Sequence, residues 1–108
     1  MVISNIDTGT DYRHKAMRID DDAKDSMRFK KEDLKGTDKN FWLSDKIPHA
    51  FNYYNGGKIT VEKADDGSDY FDPHGMHIAG ILAGNDTEKD IKNFNGIDGI
   101  APNAQIFS

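Results

Sequence analysis

The residues best suited to chemistry lie near the two ends of the chain. Asp7, Thr8 and Gly9 follow a strand-like run that begins with Val2 and Ile3, so the Asp7 carboxylate is expected at the end of a strand over residues 2–6. A carboxylate placed there can serve two chemistries. It can share a proton with a second carboxylate, as in a dimeric aspartic protease, or it can orient a histidine that acts as a general base.

A histidine suited to the second chemistry occurs in the segment DPHGMHIAG, residues 72–80. His74 lies where a helix is expected to begin, and Gly75 leaves space beside it. Asp7 would accept a hydrogen bond from one ring nitrogen, fix the tautomer and stabilise the imidazolium that forms when His74 takes a proton from a serine. The positive end of the helix disfavours imidazolium, so the carboxylate must offset that effect. Asp7 and His74 are therefore the predicted catalytic pair.

The segments between and after Asp7 and His74 predict the helices, strands and loops that position them. A charge-rich stretch, residues 20–36, is typical of one or two short solvated helices. Residues 41–54 are rich in aromatic side chains and favour loop and short strand over a core, and residues 55–63 favour a hairpin. The apolar, glycine-containing segment 74–84 predicts a buried helix packed closely against other backbone. Residues 99–108 predict a proline turn followed by a strand.

Composition excludes several classes of protein. The 108 residues suffice for one small domain, and the mean hydropathy of -0.75 with 31% charged residues is typical of a soluble chain. The net charge of -5 argues against nucleic acid as a partner. No apolar run is long enough to cross a membrane, and no targeting signal is expected because Met1 leads directly into the strand. The absence of cysteine excludes disulfides and a cysteine nucleophile.

Metal binding is a separate hypothesis. Asn85, Asp86 and Asp90 lie in a polar loop and are candidate ligands for a structural calcium ion, which prefers oxygen donors. The acidic run at residues 65–72 lacks the spacing of a calcium-binding loop and is interpreted as solvated. His77, one helical turn after His74, is interpreted as a structural helix residue because no third metal ligand has suitable spacing. No cofactor is expected to be required.

Three segments in order, VISNIDTGTDYRH, HGMHIAGILAG and GIDGIAPNAQIFS, resemble the signatures of subtilisin-like (S8 family) serine proteases. The resemblance implies an α/β fold, a doubly wound parallel sheet that carries a long insertion, with the site at the carboxyl ends of the strands. It also implies that Asp7 and His74 are two members of an Asp-His-Ser triad, in the order along the chain that subtilisin shows.

The long middle of the chain sharpens this resemblance. Asp7 and His74 are 67 positions apart, and the segment DKIPHAFNYYNGG resembles the large cell-envelope proteinases of Gram-positive cocci, in particular a streptococcal one that cleaves interleukin-8 and other CXC chemokines. The resemblance implies protein substrates of that kind and a parent enzyme that is exported and attached to the cell wall.

The rest of the triad is missing from the sequence. Neither the Gly-Thr-Ser-Met-Ala motif of the family nor its oxyanion-hole asparagine occurs, so residues 1–108 are expected to be a partial catalytic domain that is inactive without a serine-bearing segment. Asn5 stands where the family has an apolar residue. A polar residue at this position would suit a strand that lacks its neighbouring strands. An alternative is an excised, non-catalytic fragment that serves as an antigen, with an antibody as its partner.

Overall fold

The computed structural model describes residues 1–53, 56–57, 73–86 and 98–108. Within them the chain forms two strands and one α-helix, with three 3-10 helices between the first strand and the α-helix. In chain order these are β1 (Val2–Ser4), the 3-10 helices Asp21–Ser26, Lys31–Asp33 and Gly36–Phe41, α1 (His74–Ala83) and β2 (Gln105–Phe107).

The two strands run parallel although they lie at opposite ends of the sequence. The register pairs Val2 with Gln105, Ile3 with Ile106 and Ser4 with Phe107. One further bond, from the Asn5 N–H to the Phe107 carbonyl (2.8 Å), prolongs the pairing past β1. The predicted strand over residues 2–6 is thus confirmed in place but is shorter, and the chain leaves the sheet just before Asp7.

A third extended segment covers the other edge of β2. The N–H of Ile106 donates to the Lys46 carbonyl (2.8 Å), that of Ser108 to the His49 carbonyl (3.0 Å), and that of Phe51 to the Ser108 carbonyl (3.0 Å). His49 pairs with Phe107 as a parallel bridge. Residues 46–51 therefore pair with β2 through an isolated bridge and flanking bonds but do not form the short strand predicted in the aromatic-rich middle. β2 lies between two neighbours from distant parts of the chain.

The core lies between α1 and this small sheet. It consists of buried apolar side chains from α1, β2, residues 46–51 and the loops at residues 17 and 104, namely Met17, Ile47, Ala50, Ala79, Ala83, Ala104 and Ile106, and Ile3 of β1 packs against it. The face of α1 that meets the core is built from small residues, namely Gly75, Ala79 and Ala83. The predicted helix is confirmed, but its burial is one-sided, because the Ile81 side chain on the outer face is 63% exposed.

The carboxyl end of α1 is held by main-chain groups rather than by side chains. The N–H groups of Ile100 and Ala101 donate to the carbonyls of Ile81 and Leu82 (3.0 and 2.9 Å), which satisfies acceptors that a helix end leaves without partners. Gly99 permits this approach, since a Cβ there would lie 2.6 Å from the Gly80 carbonyl oxygen. Close backbone packing at this end of the helix therefore depends on Gly99, whereas a Cβ at Gly80, inside the helix, would meet nothing within 4 Å.

The charge-rich stretch, residues 20–36, forms two 3-10 helices without buried residues, in agreement with its predicted solvation. One side chain of β2 ties the stretch to the sheet. Gln105 is 1% exposed; its amide nitrogen donates to the carbonyls of Phe29 (2.8 Å) and Asp45 (2.9 Å), and its oxygen accepts from the Phe29 N–H (2.9 Å). A single buried amide therefore anchors two points of the insertion.

The hairpin predicted over residues 55–63 and the acidic run at residues 65–72 fall wholly or largely outside the described residues. No helix in the part of the chain that the structure describes is long and apolar enough to cross a bilayer. The described sheet is parallel and has helices packed with it, which agrees with the predicted α/β class; the doubly wound arrangement stays a prediction.

Candidate active site

Asp7 and His74 lie side by side. Nδ1 of His74 is 2.8 Å from Oδ1 and 2.9 Å from Oδ2 of Asp7. The His74 side chain is 64% exposed and that of Asp7 is 17% exposed, so the carboxylate lies behind the ring and the ring faces outward. This arrangement can hold an imidazole in the tautomer with its proton on Nδ1 and stabilise the imidazolium when the ring accepts a second proton.

The carboxylate of Asp7 is kept ionised by its neighbours. The hydrogen bond with His74, and after it the bond from the Thr8 N–H to Oδ1 (2.7 Å), hold the pKa of Asp7 below its ordinary value of 3.8. Both contacts favour the charged form. Asp7 is therefore an anion at neutral pH, which the orienting role requires.

Thr8 joins the loop that carries Asp7 to the helix that carries His74. Pro73 occupies the N-cap position of α1 and supplies no side-chain cap; instead, Thr8 Oγ1 accepts from the Gly75 N–H (2.8 Å). A hydroxyl from a distant loop thus satisfies one of the amides that a helix start leaves without a partner. Because Asp72 directly precedes Pro73, the sequence itself offers a local cap and contains no signal for one from a distant loop.

Gly75 brings the loop and the helix into direct backbone contact. A Cβ at this position would lie 2.5 Å from the carbonyl oxygen of Gly9 and 2.8 Å from its nitrogen. Gly9 itself has a φ of 108°, a conformation that favours glycine. The space that the sequence predicted beside His74 is therefore filled by the Thr8–Gly9 backbone.

The burial of Asn5 differs from what the sequence led us to expect. A polar residue at this position was expected to suit a strand without neighbours, yet Asn5 is buried, with 6% of its surface exposed. Its amide nitrogen donates to the Gly75 carbonyl (3.1 Å), and this bond offsets the cost of burying the amide. No local sequence pattern indicates this contact, because its two partners are 70 positions apart.

Two further histidines, His77 and His14, lie apart from this pair. His77 is an exposed residue of α1. His14 makes a local bond, in which its Nδ1 accepts from the Ala16 N–H (3.0 Å). Among residues 1–53, 56–57, 73–86 and 98–108, no three His, Cys, Asp or Glu side chains form a group that could hold a metal ion.

Of the three candidate calcium ligands, the structure describes Asn85 and Asp86. Asn85 is fully buried; its Oδ1 accepts from Arg18 (3.3 Å) and its Nδ2 donates to Asn103 (3.1 Å). The Asp86 N–H donates to Asp98 Oδ1 (3.3 Å). Asp90 lies outside the described residues, so the calcium site stays a prediction, and the Asn85 amide has a structural role between residues 18 and 103.

The chain is similar to known proteins over almost its whole length. The Subtilase family profile matches residues 1–108. The chain is 39% identical over 111 residues to a PII-type proteinase of Lacticaseibacillus paracasei and 38% identical to a PI-type proteinase of Lactococcus lactis subsp. cremoris, each alignment covering 99% of this chain and 5% of the relative. It is 32% identical to a C5a peptidase of Streptococcus pyogenes serotype M3, covering 97% of this chain and 9% of that protein.

These relatives are much longer than the segment they share with this chain, which spans 5% to 9% of their length. The shared segment nevertheless includes both Asp7 and His74. A family profile that matches every residue, together with relatives 32% to 39% identical over almost the whole chain, decides the assignment. The chain belongs to the subtilase family.

Proposed function

We propose that residues 1–108 are the Asp- and His-bearing segment of a subtilisin-like serine endopeptidase. The observation that carries the proposal is the approach of His74 Nδ1 to both Asp7 oxygens, at 2.8 and 2.9 Å, from elements 67 positions apart. Subtilase membership agrees with it. A serine supplied by another segment completes the triad, and the full domain is a doubly wound parallel sheet with the site at the strand ends.

The reaction is peptide-bond hydrolysis in two stages. The serine oxygen attacks the substrate carbonyl carbon while His74 takes the serine proton on Nε2; His74 then gives that proton to the departing amine as the C–N bond breaks. Water attacks the acyl-enzyme, His74 takes its proton, and the serine is released with that proton. Throughout, Asp7 holds the ring and stabilises the imidazolium. Oxyanion donors come from the serine-bearing segment.

The substrate and the cellular place are finer proposals. The resemblance of the middle of the chain to a streptococcal envelope proteinase favours CXC chemokines such as interleukin-8 as substrates and attachment of the parent enzyme to the cell wall. One relative is named for a different protein, C5a. Incubating the complete protease with interleukin-8 and with C5a, and following intact mass, separates the two; cleavage of C5a alone contradicts the chemokine proposal.

The triad is tested by peptidase assays on the chain alone and on the chain mixed or fused with the serine-bearing segment. Activity is expected only with that segment, and Asp7→Ala or His74→Ala should lower kcat by roughly 10⁴-fold or more. His77→Ala is the matched control, an exposed histidine of the same helix, and should retain activity. A His74→Ala enzyme with full kcat overturns the proposal.

The dimeric aspartic protease is disfavoured by the same observations. Asp7 pairs with a histidine, and the family profile is that of a serine protease family. Fluorophosphonate labelling of the complete enzyme is expected. Pepstatin-sensitive activity of residues 1–108 alone at acid pH would instead revive the two-carboxylate mechanism.

A further inference from the structure

Asn5 places a buried amide beside the candidate catalytic pair. It lies two positions before Asp7 and is 6% exposed. Its backbone N–H donates to the Phe107 carbonyl (2.8 Å), and this bond fixes the Asn5 backbone to the sheet. Its side-chain nitrogen donates to the Gly75 carbonyl (3.1 Å). The side chain therefore links the strand that carries Asp7 to the first turn of α1.

Gly75, the residue after His74, is held at both of its polar backbone groups. Its N–H donates to Thr8 Oγ1 (2.8 Å) and its carbonyl accepts from Asn5 Nδ2 (3.1 Å). In a helix the N–H and C=O of one residue point in opposite directions along the axis. One bond would leave the helix start free to tilt about it, whereas two bonds at opposite ends of the residue restrain both tilt and sliding.

We propose that Asn5 is a positioning residue that acts through Gly75 to keep the His74 ring against the Asp7 carboxylate. The inference rests on the proposed function, since only a working triad requires that geometry. Thr8 and Asn5 flank Asp7 in sequence, so the same short loop sets both the carboxylate and the helix start. The close contact of Gly75 with Gly9 also limits how far this loop and the start of α1 can move relative to each other.

The test uses the complete protease and two variants of Asn5. Asn5→Leu removes the donor, and Asn5→Asp keeps the shape but faces the Gly75 carbonyl with an acceptor. Each is expected to lower kcat on the order of 10- to 100-fold, the range that a displacement of about 1 Å costs, with KM within about twofold. Asn5→Asp provides the measurement if Asn5→Leu does not fold.

A double-mutant cycle separates positioning from general damage. If Asn5 acts through the Asp7–His74 pair, Asn5→Leu should have no further effect on kcat in an Asp7→Ala background. Gln105→Leu is the matched control, because Gln105 is also a buried amide at the sheet but bonds Phe29 and Asp45 instead of α1. It should lower Tm and leave kcat at 25 °C unchanged.

The outcomes distinguish the inference from the proposed function. If Asp7→Ala abolishes activity while both Asn5 variants retain wild-type kcat, the triad stands and the positioning role of Asn5 is wrong. An equal fold-loss from Asn5→Leu in the wild-type and Asp7→Ala backgrounds also overturns it. If Asp7→Ala itself leaves kcat intact, the proposed function fails first.

Discussion

At the scale of single residues, the Asp7 carboxylate is the most constrained group of the candidate site. Nδ1 of His74 lies within hydrogen-bond distance of both carboxylate oxygens, and the Thr8 N–H donates to Oδ1. Each of these contacts stabilises the anion, and together they hold the pKa of Asp7 below 3.8. The Asp7 carboxylate therefore stays negatively charged over the pH range in which histidine side chains ordinarily titrate.

A lowered pKa of Asp7 has a defined consequence for stability. A carboxyl group whose pKa is lower in the folded than in the unfolded chain contributes stability above the unfolded value, and this contribution is lost as pH falls through the folded value. Between pH 5 and pH 2.5 the Tm of the wild type should thus fall more steeply than that of Asp7→Asn. Parallel Tm curves for the two proteins contradict the assignment; Asp22→Asn, at an exposed carboxyl in the first 3-10 helix, is the control and should follow the wild type.

The sequence predicted that Asp7 and His74 would meet, but it did not predict the contacts that hold them in place. The two residues lie in short motifs whose chemistry can be read locally, and the structure brings them within hydrogen-bond distance. The roles of Asn5 and Thr8 depend on contacts with Gly75 across 70 and 67 positions. Neither a propensity nor a periodicity contains such a contact, so the polar side chain of Asn5 was interpreted as suiting a strand without neighbours.

At the scale of elements, α1 is positioned by backbone contact at both ends. Its amino end meets the Thr8–Gly9 turn through Gly75, and its carboxyl end meets residues 99–101 through Gly99. The glycines that the sequence predicted to serve close packing are not equivalent, however. A Cβ at Gly75 would meet backbone atoms at 2.5 Å, whereas a Cβ at Gly80 would meet nothing within 4 Å.

This difference predicts opposite effects for the same substitution at two places in one helix. Gly75→Ala forces Gly9 away and should destabilise the fold by about 1–3 kcal/mol, as overpacking does. Gly80→Ala removes only the conformational freedom of glycine and should stabilise it by up to about 1 kcal/mol. Urea denaturation of both variants provides the measurement. Stabilisation by Gly75→Ala contradicts the close contact with Gly9.

At the scale of the whole molecule, β2 organises segments that are far apart in sequence. It pairs with β1 on one side and with residues 46–51 on the other, and Gln105 and the Lys46 carbonyl attach the insertion to it. The sequence predicted the individual strands but not their order, because parallel neighbours are joined by long connections that leave no local pattern. It also left the type of the short helices open.

The buried side chain of Lys46 makes the stability of this arrangement depend on pH. The residue is 1% exposed and its Nζ donates to the Pro102 carbonyl (2.6 Å). Burial lowers its pKa from 10.5 to about 8, so between these two pH values the unfolded chain binds more protons than the folded one, and stability rises with pH. A shift of this size corresponds to about 3 kcal/mol of unfavourable free energy below pH 8.

Removing the charge should abolish this pH dependence. Lys46→Met keeps much of the side-chain length without the ammonium group, so its free energy of unfolding should be higher at pH 7 and should lack the increase that the wild type shows between pH 8 and pH 10.5. The control is Lys24→Met, at a lysine whose side chain is 45% exposed in an ion pair with Asp21; that variant should retain the increase. If Lys46→Met follows the wild-type curve, the ammonium group of Lys46 reaches water in solution, and the junction of residues 46–51 with the turn at Pro102 is more open than the structure has it.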